Sequence, residues 1–209
     1  MPLTISGPGV SKLTIIDNET CDFAGGLLLI TDSTNVNVSG LTINSCFAVD
    51  MFNGSANFTN MVFNGPAYSI AFWMGGGNLT ISQCTFAGFE AAIADFTLGG
   101  TIDISQSTFT GGDSALLNFG GKMNVVNSTI SGVGGRAIDS EEGGTLTLVN
   151  STVANNGEGI YAIGDVVKLK NTVLSNNRNC TGDITPLDRW RLQHRYRREL
   201  PPRRDWGYE

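Results

Sequence analysis

The sequence repeats itself, and the repeat leaves few folds open. Aligned row on row it reads Val36-Asn-Val38 with Ile43, Leu79-Thr-Ile81 with Phe86, Ile102-Asp-Ile104 with Phe109, Met123-Asn-Val125 with Ile130, and Leu146-Thr-Leu148 with Val153. A degenerate row, Ala56-Asn-Phe58 with Phe63, fits between the first two, and a shorter one, Val167-Lys-Leu169 with Val173, follows the last. The period is about 20–24 residues, the length of one solenoid unit. In each row two apolar residues stand two apart, a polar step follows, and a third apolar residue comes next. A further apolar segment follows at Ile70, Ile93, Leu116, Ala137 and Ile160, and glycines such as Gly75-Gly76-Gly77 and Gly120-Gly121 close the rows.

A spacing of two is that of strands, not helices. Val, Ile, Thr and Phe fill the rows, and Gly and Asn punctuate them, as β-structure and its turns require. Strands this short cannot bury their apolar faces alone. Stacked row on row, about 4.8 Å apart, they can. A repeat this long exceeds a left-handed hexapeptide solenoid, and the Leu-x-x-Leu-x-Leu frame of a leucine-rich repeat is missing. The reading is therefore all-β: a right-handed parallel β-helix of about seven coils, each of about 20–24 residues, spanning residues 1–184.

Two columns across the rows invite a reading of their own. Asn60, Gln83, Gln106, Asn127, Asn150 and Asn171 form an amide column, expected to hydrogen-bond from rung to rung as stacked amides do. The residues after it, Met61, Cys84, Ser107, Ser128 and Ser151, are mostly small and suit the inside of a bend. Thr85, Thr108, Thr129 and Thr152 form an outward rank of the kind that binds ice, though outward Thr is also plain strand propensity.

Composition narrows the function classes. Only 15% of residues are charged and 41% are hydrophobic, which excludes a disordered, solvating chain. No apolar run approaches the length of a membrane helix. The net charge of −6 conceals two parts. Residues 1–184 carry 6 Lys+Arg and 15 Asp+Glu, a net of −9, while residues 185–209 carry 7 Arg and 4 acids, a net of +3. The tail, with Arg189-Trp-Arg and Arg195-Tyr-Arg-Arg198, does not continue the repeat. A basic arm for nucleic acid is one reading of it, but nucleic acid is not expected as a partner. Cys21, Cys46, Cys84 and Cys180 are widely spaced, and the chain has one histidine, so no zinc site is expected. No disulfide is assigned between Cys46 and Cys84, which fall at different places in the repeat.

Several stretches carry a family resemblance. Gly144-Thr-Leu-Thr-Leu-Val-Asn-Ser-Thr-Val-Ala-Asn-Asn156, Leu169-Lys-Asn-Thr-Val-Leu-Ser-Asn-Asn177, the opening Leu3-Thr-Ile-Ser-Gly-Pro-Gly9 and the closing Asn179-Cys-Thr-Gly182 resemble bacterial surface proteins of the right-handed parallel β-helix repeat class. That class is pectate-lyase-like in fold and similar to polymorphic outer-membrane-protein passengers. Gly134-Gly135-Arg136-Ala137-Ile138 only approximates the passengers' Gly-Gly-Ala-Ile pattern. The resemblance implies export, a secreted or cell-surface location, and an oxidising compartment. No signal peptide stands at Met1-Pro-Leu-Thr, so a gene fragment is expected. A one-base shift across Arg189–Pro201 can yield a Gly-Tyr-Asn-Ile-Asp…Cys segment like the one that follows Asn-Cys-Thr-Gly in this class. The tail is therefore expected to be a frameshifted end, and Cys180 to have lost its partner there.

The resemblance covers scaffold residues, so function must come from a site. β-Helix lyases need carboxylate-held Ca²⁺ and a basic residue, and hydrolases need paired carboxylates. Counting from the third apolar position gives one column, Phe72, Asp95, Asn118, Asp139 and Ala162. Asp95 and Asp139 would then lie two rungs apart with Arg136 close by, and these three are the catalytic candidates. Trp73, beside three glycines, and Asn118 are candidates for sugar binding. Asp and Asn are also ordinary turn residues, and no Asp-Asp or Gly-His-Gly cluster is present. The expectation is a non-catalytic segment serving adhesion, carbohydrate binding or a structural stalk, with a polysaccharide or cell-surface glycan as partner. No cofactor is expected, except Ca²⁺ under the alternative of a polysaccharide lyase or hydrolase.

Overall fold

The structure, a computed structural model, describes residues 2–17, 21, 26–32, 34–96 and 99–183. The tail 185–209 lies outside the described residues. Among the described residues three sheets of eight strands run along the solenoid, and their pairings are parallel. The first sheet runs from Leu3–Ser6 to Val166–Lys170, the second from Thr14–Ile16 to Val173–Ser175, and the third from Leu28–Ile30 to Arg178–Gly182. Each strand pairs with its counterparts in the coils before and after, so the chain winds as a parallel β-helix. Eight rungs are described, one more than the aligned rows, because Leu3–Ser6 pairs with Asn35–Ser39 as a coil of its own.

The period of two fills the core. In the second sheet Ile43, Phe63, Phe86, Phe109, Ile130 and Val153 stand one above another. Phe86 stacks on Phe63 at 4.8 Å and on Phe109 at 4.7 Å, with the rings within 10° of parallel. Those separations are the strand spacing itself, so backbone pairing and ring stacking share one repeat. Leu174, not the expected Val173, continues this column, and Val173 is exposed. The third sheet also differs in phase. Its inward column is Val49, Phe72, Ile93, Leu116, Ile138 and Ile160, so Ile70 and Ala137 are not members. Two consecutive residues are buried in this sheet at Ala92-Ile93, Ala115-Leu116 and Ala137-Ile138, which hides the alternation that marks a strand.

The corner between the first and second sheets explains both polar columns. All six amide residues have φ between 49° and 55°, and Gly40 precedes them with φ 70°. Left-handed backbone favours Gly and Asn, and that is the constraint the column shares. Asn171 donates to Asn150 at 3.1 Å, so amide stacking accompanies the turn. The continuous axial chain runs one residue further on. The backbone N–H of Cys84 donates to Ser107 Oγ, that of Ser107 to Ser128 Oγ, and that of Ser128 to Ser151 Oγ, at 3.1–3.2 Å. Each serine hydroxyl donates in turn to the carbonyl two residues back. The small residues thus satisfy buried backbone donors, which would otherwise be orphaned. A disulfide joins Cys21 to Cys46, and Cys84 is free and buried.

Candidate functional site on the outer face of the third sheet

The register separates the two aspartates that the sequence placed together. Asp95 pairs with Met74 and Asn118, and the column continues to Ser140 and Ala162. Asp139 instead pairs with Leu117 and Tyr161 in the neighbouring column. The cause is one added residue. Phe109 and Leu116 lie seven positions apart, Ile130 and Ile138 eight, and the extra residue falls in the link 132–135. A one-residue slip moves a side chain to the other face of a sheet.

Asp95 and Asn118 therefore point into the solenoid and are 0% exposed. Asn118 Nδ2 donates to Ser140 Oγ at 3.0 Å and to the Gly121 carbonyl at 3.3 Å. The Ser140 hydroxyl donates to Asp165, and Gly144 N–H donates to Asp165 Oδ1 at 2.6 Å. A Cβ on Gly121 would collide with the Asp95 carboxylate and lie 3.0 Å from Asn118 Oδ1. This is a corner staple, built where the sheet turns. Asp95, a catalytic candidate, and Asn118, a ligand-binding candidate, thus lie inside this corner and not on the outer face.

Asp139, Arg136 and Trp73 share the opposite, outward face. The outward column reads Asp50, Trp73, Ala94, Leu117, Asp139 and Tyr161. Two residues along the strands a second column carries Phe119, Glu141 and Ile163. Phe96 lies beside it, stacked on Phe119 at 5.3 Å and 7°, and Trp73 lies 4.4 Å from Phe96. Phe96 is 43% exposed, and Phe52, on the coil before Trp73, is 47% exposed. The face thus opens with a row of aromatic rings and closes with a charged cluster.

Arg136 organises the charged end. Its guanidinium bonds Asp139 Oδ2 at 2.8 Å, lies 3.6 Å from Glu158 and 4.0 Å from Glu141, and stacks 3.5 Å over the ring of Tyr161. Arg178 reaches Glu158 from the next coil at 3.8 Å. The Asp139 hydrogen bond leads in raising the Arg136 pKa above its ordinary value, so the group is a fixed cation. Burial, then the charge and proximity of Asp139, push the Glu141 carboxyl up, and Arg136 opposes this. Burial also pushes up Asp50. Asp50 Oδ1 and Asp139 Oδ1 are buried atoms with no hydrogen-bond partner among the described residues. Glu141, with its own carboxyl pushed up, thus stands beside an Asp139 that is ion-paired to Arg136.

Sequence reasoning missed Phe96, Phe119, Glu141, Glu158 and Tyr161. Signals for some were there. Glu141 is two residues from Asp139 and so on the same face, and Phe96 and Phe119 follow Phe86 and Phe109 at one fixed offset. The expected Thr rank is present, with Thr85, Thr108, Thr129 and Thr152 in register. It breaks at Val62 and at Val173.

A family model described as "Right handed beta helix region" matches residues 75–185, more than half of the chain. The chain belongs to the right-handed β-helix family. No curated protein and no solved structure matches it. The β-helix match covers the coils that carry Arg136, Asp139 and Glu141, and begins just after Trp73. Among the described residues of this β-helix, no group of three or more His, Cys, Asp or Glu is arranged to hold a metal ion. No helix among them is long and apolar enough to cross a membrane.

Proposed function

We propose that this β-helix is a non-catalytic, secreted or cell-surface segment that binds carbohydrate along the outer face of its third sheet. The observation that carries the reading is the row of Trp73, Phe96 and Phe119, partly exposed and packed ring against ring, Phe96 stacked on Phe119 and Trp73 tilted by 33° against Phe96. Aromatic rings normally turn inward for their burial energy. A row left at the surface, continued by hydrogen-bonding carboxylates, offers platforms for the apolar faces of sugar rings. Polar groups within reach then fix the sugar hydroxyls, the common plan of a ligand surface. The Cys21–Cys46 disulfide fits an exported protein, because such bonds persist in oxidising compartments.

Binding to an array of immobilised glycans tests this reading. The Trp73→Ala/Phe96→Ala double variant should lose about tenfold or more in affinity for any glycan retained, with the fold intact by circular dichroism. Unchanged binding by that variant would sink the reading. A second reading, hydrolysis of a polysaccharide, draws on the Asp139–Glu141 pair, with Glu141 as acid and Asp139 as base or nucleophile. It requires cleavage that Asp139→Asn abolishes. Ultraviolet-absorbing unsaturated products would point to a lyase instead.

A further inference from the structure

We infer that the outer face of the third sheet selects a linear glycan bearing free amino groups, a polyglucosamine, over neutral glycans and polyuronates. This rests on the carbohydrate-binding reading above and adds the chemical class of the ligand. The face carries four carboxylates, Asp50, Asp139, Glu141 and Glu158, against two guanidiniums. Both guanidiniums are already engaged: Arg136 with Asp139 at 2.8 Å and Glu158 at 3.6 Å, Arg178 with Glu158 at 3.8 Å. Among the described residues, no guanidinium on this face is without a carboxylate partner, while Asp50 has no ion-pair partner and Glu141 shares Arg136 only at 4.0 Å. Residues 1–184 carry a net charge of −9, from 6 Lys+Arg and 15 Asp+Glu, and the whole chain remains at −6, so the net charge also disfavours a polyanion.

The placement of Asp50 sharpens the match. It is the register partner of Trp73, one rung away in the same outward column. Its Oδ1 is shielded from water with no hydrogen-bond partner among the described residues. Burying an acceptor unpaired is unfavourable, and a ligand donor would relieve it. A sugar ring lying on Trp73 and Phe96 brings its substituents beside Asp50. An ammonium there gains a charge-assisted hydrogen bond and the attraction of the ring faces for a cation. A neutral N-acetyl group gains neither, and a uronate meets like charge.

Calorimetric titration of the whole chain with three probes tests this: polyglucosamine oligomers, their fully N-acetylated counterparts, and oligogalacturonate, in a mildly acidic buffer that keeps the amines charged. The polyglucosamine should bind at least about tenfold tighter than either other probe. Its affinity should fall with added salt, and fall about tenfold in Asp50→Asn/Glu141→Gln. If the N-acetylated or uronate probe binds as tightly, or if the double variant binds polyglucosamine unchanged, the amino-group inference is overturned and carbohydrate binding stands. If none of the three binds and the glycan array is also blank, both fail together.

Discussion

At the scale of the residue, Asn118 shows how little freedom a buried polar group has. Its amide nitrogen serves Ser140 and the Gly121 carbonyl at once, so turning the amide would set oxygen against oxygen. Asn118→Leu should cost about 1–3 kcal/mol in urea unfolding, because those acceptors lose their donor inside the solenoid. Glu141 allows a test of sign. Its pKa is raised in the fold, so the folded state holds that proton more tightly than the unfolded chain. Its penalty is absent at low pH, sets in as pH rises past the ordinary glutamate value, and is complete above the raised one. Glu141→Gln should therefore stabilise relative to the parent at neutral pH, with the gap in Tm closing toward pH 4. A gap that widens on acidification would contradict the assignment. The Cys84 thiol, pushed up to about 11 by burial, stays protonated near neutrality. A thiol reagent should label Cys180, which is exposed, in the native protein and reach Cys84 only after unfolding.

At the scale of the element, one coil is held by two kinds of axial contact. The Phe63–Phe86–Phe109 stack supplies apolar burial, and Phe86→Ala should cost about 3–5 kcal/mol. The serine chain supplies satisfied donors, and Ser128→Ala should cost about 1 kcal/mol, since the Ser107 N–H is left unpaired. Urea midpoints for the two variants should keep that order. The first and second sheets were legible in the sequence, because their inward residues alternate cleanly with outward ones. The third was not. Alternation fails where Ala92 and Ile93 are both buried, and the glycine-rich link before it varies in length. Counting forward from Ile130 therefore carried Asp139 into the wrong column. The amide column was legible as a column but not in its cause. Stacking amides and left-handed turns both call for Asn, and only the φ values separate them.

At the scale of the whole molecule, the contacts are almost all between neighbouring coils. The disulfide is an added tie, closing a loop 25 residues long between the first coil and the second. Loop-closure entropy puts its contribution at about 3.5 kcal/mol. Reduction should therefore lower the unfolding midpoint, and Cys21→Ser/Cys46→Ser should do so to the same extent. The face with the aromatic row runs across several coils, so its geometry depends on each coil holding the register of the next.

The stacked rungs have one more consequence, for damage. At the corner Glu142-Gly143 the backbone is exposed, and no atom lies within 4 Å of a Cβ built on Gly143. A protease acting there would sever the chain. The coils on either side would stay joined by three ladders of hydrogen bonds and a shared core, with no need of the peptide bond. The nicked molecule should elute as one particle and separate into two bands only in detergent. In such a rod, covalent continuity and mechanical integrity are separate properties, and the rod can lose the first while keeping the second.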